Sequence, residues 1–299
     1  MAARRAWLCG LAGLLAAWAG LAAACQVERK ASVPITQAGG LFLVPVAING
    51  TVLDFVLDTG AERSVVGLQA AARLGLDRDP WVSTDMMGAG GWDQRRLGRP
   101  RSLSLGGLAL RRHTVAADNS VVVGPVPDAV AGRPVGGLLG QDYLSLFDLD
   151  LDVAGGALGL YGVTGCSALV PPWPGPATAI AASRPVRNML AVPVRIAGRA
   201  AQAELDTGAS TSVVTAPGML RLGLAAGGGD QVRGFGAGGV AARRQVFTLQ
   251  VGPLPAAPAT LLVSPLHTLR SIDMLLGADW VAGRRVWVSW ATGQVFVPG

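Results

Sequence analysis

The chain has 299 residues, 51% apolar and only 15% charged, which allows one large or two modest packed domains and argues against disorder over most of its length. Its net charge of +6 is carried almost entirely by Arg, but no helix-borne basic stripe or aromatic-plus-basic sheet motif accompanies it, so nucleic-acid binding has no support. The two His residues, His113 and His267, stand alone, no metal-ligand spacing occurs, and neither a metal nor a cofactor is expected.

At the N-terminus, Arg4 and Arg5 precede an apolar stretch from Ala6 to Ala24 that ends in the small residues a signal peptidase needs. Residues 1–24 therefore read as a signal peptide, with retention as a membrane anchor the alternative, and the mature chain is expected in the periplasm or cell envelope. Leu21-Ala22-Ala23-Ala24-Cys25 resembles a bacterial lipoprotein cleavage box, although Leu lies one place further upstream than that pattern has it. Cys25 is thus a candidate for lipidation and membrane attachment; without lipid, a disulfide with Cys166 is open to it in an oxidising compartment.

Beyond the leader, the texture of the chain is short Val- and Leu-rich runs separated by 42 Gly and 19 Pro, which predicts many strands and tight turns. Phe42 to Ile48 and Val52 to Leu57 are predicted strands, Leu68 to Leu74 a short helix. The basic cluster Arg95, Arg96, Arg99, Arg101, Arg111 and Arg112 reads as a solvated face. Pro171-Pro172-Trp173-Pro174-Gly175-Pro176 cannot continue a helix or a central strand, so residues 166–187 read as a stiff linker between residues 25–165 and 188–299. A second short helix is predicted near Pro217 to Leu222, and one more after each Leu-Leu-Gly described next.

The decisive feature is an internal repeat. Val44-Pro45-Val46 leads to Leu57-Asp58-Thr59-Gly60-Ala61, and Val192-Pro193-Val194 leads at the same distance to Leu205-Asp206-Thr207-Gly208-Ala209. Ser64-Val65-Val66 and Ser212-Val213-Val214 follow at matching positions. Gly88-Ala89-Gly90-Gly91 begins 30 residues after Asp58, and Gly236-Ala237-Gly238-Gly239 begins 30 after Asp206. Each copy closes with a shared element, Leu138-Leu139-Gly140-Gln141-Asp142 and Leu275-Leu276-Gly277-Ala278-Asp279, 80 and 69 residues after its Asp. Three ordered matches make the chain two copies of one unit.

These residues resemble the pepsin and retropepsin superfamily of aspartic proteases. Asp-Thr-Gly-Ala in both halves is similar to its catalytic loop, Leu-Leu-Gly to the element that crosses behind that loop, and the Gly-rich segments to its flap hairpins. Ala after Gly sides with the retroviral-type members, while two fused copies side with the bilobal pepsins. The resemblance covers about residues 40 to 162 and 188 to 297. It implies a mainly β, bilobal fold of two barrel-like lobes about a pseudo-twofold axis, and an endopeptidase whose dyad, Asp58 and Asp206, activates a water without a covalent intermediate or a metal. The alternative keeps the fold and drops the chemistry: an exported peptide-binding module.

On this reading Thr59 and Thr207 lock the two loops together, and Gly60 and Gly208 let backbone approach the carboxylates. The flap residues Gly88, Ala89, Gly90 and Gly91, with Gly236, Ala237, Gly238 and Gly239, close over an extended peptide or protein substrate that adds as a strand. Trp92 and Phe235 beside the tips are candidate contacts. Ala61 and Ala209 lack the hydroxyl of pepsin-like members, so the dyad is expected to work in mildly acidic to near-neutral conditions. Asp142 and Asp279 read as helix caps, Asp54, Asp148, Asp150 and Asp152 as surface charges. With both units in one chain, a monomer is expected to suffice.

Overall fold

A computed structural model describes residues 25–88, 91–111, 119–186, 188–225, 231–233, 241–266 and 271–299. The fold is mainly β, with short strands and four helices of at most seven residues among the described residues. It is bilobal: each copy of the repeat builds its own sheet, and a third sheet joins them.

Each unit opens with a hairpin, Leu41–Ile48 with Thr51–Leu57 and Ala191–Ile196 with Arg199–Leu205. The two-residue turns both hold positive φ, at Asn49 (51°) and Gly50 (84°) and at Ala197 (49°) and Gly198 (78°), matching the right-handed twist of the strands they join. The strand leading to each Asp is then paired in parallel by the Leu-Leu segment: Gly137–Leu139 lies beside Phe55–Leu57, and Met274–Leu276 beside Ala203–Leu205. That same segment pairs antiparallel with the strand after the Asp loop, Val65–Gly67 or Val213–Thr215. The Asp loop is therefore clamped between two strands that share one partner.

The helices lie where periodicity placed them, at Leu68–Arg73, Gln141–Leu144, Ala216–Leu222 and Ala278–Ala282. Ala216–Leu222 is capped by Thr215, whose hydroxyl accepts from Gly218 N at 2.9 Å, and ends at Gly223 in the left-handed region. The last two helices begin at Gly140 and Gly277 without a side-chain cap. Asp142 and Asp279, expected as caps, instead reach back to the Asp loops, because those loops offer unpaired backbone and hydroxyl donors.

The second lobe closes on itself, since Ala241–Val251 pairs with Ala257–Ser264 along most of its length and with Ala191–Ile196 at its end. In the first lobe two pieces do this work: Gly91–Gly98 pairs with Val121–Gly124, and Leu103–Leu105 pairs with Leu41–Ile48. The break between them contains Pro100, which has no N–H to donate to a ladder.

The joining sheet runs in the order Gln26–Pro34, Ala157–Thr164, Asp148–Asp152, Val286–Ser289, Gln294–Pro298, Ala177–Ala181. Its centre is the pairing of Leu149–Leu151 with Val286–Val288, one strand from each half. The segment 166–187 contributes its outer strand and buries Leu169, Trp173 and Ile180. Asp148 and Asp150, expected at the surface, are buried. Asp150 sits in the middle strand, where Arg285 of the other half grips it with Nε at 2.8 Å and Nη2 at 2.6 Å. Asp148 accepts from Ala291 N at 3.1 Å. Asp54 pairs with Arg133 at 2.8 Å.

The first strand ends in a disulfide, Cys25 to Cys166, across a sequence separation of 141 residues. This corrects the expectation of a lipid on Cys25, because a sulfur bonded to another sulfur cannot also carry a thioether. Pairing of Gln26 with Thr164 brings the two Cys residues together.

Candidate active site

The strands Thr51–Leu57 and Arg199–Leu205 end side by side, and the Asp-Thr-Gly loops that follow them meet across the pseudo-twofold axis. The lock is reciprocal. Thr59 Oγ1 donates to Leu205 O at 2.7 Å and accepts from Thr207 N at 3.1 Å. Thr207 Oγ1 donates to Leu57 O at 2.6 Å and accepts from Thr59 N at 3.0 Å. Both threonines are buried, so four hydrogen bonds shielded from water fix the loops in register.

Asp58 and Asp206 are thereby brought together. In each loop the next two amides turn back on the carboxylate: Asp58 Oδ1 accepts from Gly60 N at 3.0 Å and Ala61 N at 2.8 Å. Asp206 Oδ1 accepts from Gly208 N at 2.9 Å and Ala209 N at 3.2 Å. The glycines are required by the opposite loop. A Cβ on Gly60 would lie 2.4 Å from Asp206 Cγ, and one on Gly208 would lie 2.3 Å from Asp58 Cγ.

A further ring of bonds steadies the loops from behind. Asp142 Oδ1 accepts from Ser64 N at 2.9 Å and Ser64 Oγ at 2.7 Å, while Ser64 Oγ accepts from Gly140 N at 2.9 Å. Asp279, Ser212 and Gly277 repeat the pattern at 2.9, 2.7 and 2.9 Å. The Asp that recurs after each Leu-Leu-Gly is thus a support for the Asp-Thr-Gly loop. Gln141 adds a contact that its counterpart Ala278 cannot, its Nε2 donating to Thr59 O.

Electrostatically the two carboxyls are one system. Burial raises Asp58, opposed by the amides of Ala61 and Gly60. Burial and then the Asp58 charge push Asp206 up to about 8. Both carboxyls are thus raised, the pattern of a close pair that shares one proton. Neither Ala61 nor Ala209 supplies a side-chain donor that would pull the pair down.

One further carboxyl belongs to this neighbourhood and was missed in the sequence. Glu204 stands two residues before Asp206, is 5% exposed, and is raised well above its ordinary range by burial and then by Asp206 and Asp58. Its repeat counterpart is Val56, and that break in the repeat was the available signal.

Of the flap residues, Gly88 and Gly91 are paired with each other at the end of the hairpin formed by Arg78–Gly88 and Gly91–Gly98. Ala89, Gly90, Gly236, Ala237, Gly238, Gly239 and Phe235 lie outside the described residues, as do His113, His267 and Arg112. Trp92 lies in the second strand of the hairpin. Of the other basic residues, Arg95 pairs with Asp93 at 2.6 Å and Arg99 with Asp79 at 3.5 Å.

A profile of the aspartyl protease family matches residues 44–143 and 192–280, one match on each copy of the repeat. The chain belongs to that family. No curated protein matches it significantly. Among solved structures, the aspartic proteinase from Irpex lacteus superposes with a TM-score of 0.51 at 12% identity, covering 91% of this chain and 97% of that one. At that identity the likeness concerns the fold, and it extends over both lobes.

Proposed function

We propose that this protein is an exported aspartic endopeptidase that hydrolyses peptide bonds with a water held between Asp58 and Asp206. The observation that carries this reading is the reciprocal threonine lock, which places two carboxyls from different halves close enough to share one proton. A decayed binding module has no use for a shared proton, and no member of the dyad or its loops has been lost.

The chemistry follows from the asymmetry of the pair. We assign the anionic role to Asp58, which accepts the shortest of the four amide bonds, 2.8 Å from Ala61 N; it takes a proton from the water as the water oxygen attacks the scissile carbonyl. Asp206 gives its proton to the carbonyl oxygen, so charge never accumulates on the tetrahedral intermediate. The proton taken by Asp58 then passes to the leaving amine; as the C–N bond breaks, a hydroxyl of the tetrahedral diol returns a proton to Asp206 and becomes the carbonyl of the new acid, so the dyad is back in its starting state. Raised carboxyls support work in mildly acidic to near-neutral conditions.

Export is proposed from the basic and apolar leader at residues 1–24, and the Cys25–Cys166 disulfide supports an oxidising destination such as the periplasm or cell envelope. A monomer carries the complete dyad. The test is cleavage of a diverse peptide library between about pH 3 and 8. Mature protein should cut, and Asp206→Asn should not. Folded protein that cuts nothing across that range would return the binding-module reading.

A further inference from the structure

The two halves agree at almost every position that shapes the dyad and disagree at one. In strand Thr51–Leu57 the residues facing the core are Phe55 and Leu57, and in Arg199–Leu205 they are Ala201, Ala203 and Leu205. Side chains alternate along a strand, so the opposite face carries Val56 then Asp58 in the first half, and Glu204 then Asp206 in the second. The registers match: Val56 is flanked by Leu43 and Leu138, Glu204 by Ala191 and Leu275.

Val56 packs against an apolar cluster of Leu41, Leu43, Val130 and Val135. Glu204 replaces it with a carboxyl, and Ala191 stands where Leu43 fills the first half, which shortens the wall beside that carboxyl. Glu204 is 5% exposed, yet among the described residues its Oε1 has no hydrogen-bond partner. A buried carboxyl oxygen without a donor is costly, and the described structure offers it no compensating Arg or Lys. Among the described residues nothing supplies that donor, so the carboxyl either keeps a proton or stands ready for a donor on a bound molecule.

Val56 and Glu204 stand on the strand face that carries the Asp two residues on, and the charges of both Asp206 and Asp58 act on Glu204. A substrate bound across the dyad would therefore have one of these two side chains on each side of the axis. We propose that Glu204 is a specificity-determining residue that receives a basic side chain, Lys or Arg, on one side of the scissile bond, while Val56 receives an apolar side chain on the other. The duplicated chain would thereby read the direction of its substrate, which two identical halves could not do. This rests on the peptidase reading of the same cleft.

The experiment uses a pair of non-cleavable reduced-amide peptides that differ only by lysine or norleucine beside the blocked bond, with leucine on its other side. Binding to mature protein is measured by calorimetry, alongside cleavage of the matching ordinary amides. The lysine peptide is expected to bind about 10- to 100-fold tighter, the worth of one charge-assisted hydrogen bond in a buried site. That preference should grow as pH rises, because Glu204 must release its proton to meet the cation. Glu204→Val, which installs the residue the first half already carries, should reverse the preference, and Glu204→Gln should flatten it. Equal binding of the two peptides, binding of neither, or a preference unchanged in both variants would overturn the assignment. Failure to cleave while the lysine preference holds would sink the peptidase reading alone.

Discussion

The first and second halves hold Asp58 and Asp206 by the same bonds and surround them with different neighbours. Thr59 and Thr207, Ser64 and Ser212, Asp142 and Asp279 repeat contact for contact, within a few tenths of an ångström. Val56 against Glu204 and Gln141 against Ala278 do not repeat. The divided pattern separates what the dyad requires of both loops from what a single loop can change once duplication has made the halves independent. Geometry is shared; charge is not.

The strongest way to break the comparison is to remove one carboxylate. If the two act as a unit, Asp58→Asn and Asp206→Asn should each lower kcat/KM by about 10³-fold or more, and the double variant should be little worse than either. Kinetics on a peptide identified by the library screen would check this. A large residual activity in only one single variant would mean that the halves contribute separately, and the shared-proton picture would fail.

The lock comes next. Thr59→Val and Thr207→Val each delete a buried hydroxyl, stranding one carbonyl and one amide in the opposite loop. Each should cost about 2–4 kcal/mol of stability in denaturant unfolding, since both stranded groups remain buried. The two losses should be nearly equal and less than additive, because either change opens the same four-bond unit. Additive losses would show that the bonds act one by one.

Charge predicts a pH dependence of stability with an unusual sign. Asp58, Asp206 and Glu204 are all raised by burial, and Asp148 on the joining sheet is raised as well. A carboxyl whose folded pKa lies above its unfolded value contributes stability that is complete below the unfolded pKa. That contribution is lost as pH rises through the folded value. The protein should therefore be more stable near pH 4.5 than near pH 8.5, about 0.5 above the value to which Asp206 is pushed. Glu204→Val should flatten the decline, and the matching Val56→Leu should leave it unchanged. Thermal unfolding across that interval decides between this and the ordinary carboxylate behaviour, in which stability rises with pH.

Much of this arrangement was legible in the sequence because it is local or repeated. Asp-Thr-Gly at equal spacing from Val-Pro-Val exposed the dyad, and the Gly and β-branched texture exposed the sheets. Other features depended on contacts far apart in the chain. Asp142 reads as a cap beside Gly140 until the fold brings Ser64 back to it, 78 residues away. Asp148 and Asp150 look like surface charges until the joining sheet buries them against the other half, where Arg285 is 135 residues from Asp150. The disulfide replaced the lipid for the same reason, since only the pairing of the first strand with Ala157–Thr164 sets Cys25 beside Cys166. Glu204 was visible as a break in the repeat, but its meaning came from burial.

The smallest asymmetry lies at the opening hairpins, which share a turn geometry but differ by one residue. Asn49 and Ala197 both adopt positive φ, near 50°. Asn tolerates that region, and Asn49 Oδ1 accepts from Arg101 N at 2.7 Å and Ser102 N at 3.2 Å. Ala197 has neither advantage, and its Cβ crowds the following carbonyl. Ala197→Asn should therefore stabilise the protein by about 0.5–1 kcal/mol, while Asn49→Ala should destabilise it by more, because two amides also lose an acceptor. Paired denaturant midpoints measure both. Equal and opposite shifts would assign the whole effect to backbone strain; a larger loss at Asn49 would show that the first half uses its turn side chain to anchor the broken barrel strand that begins nearby at Leu103.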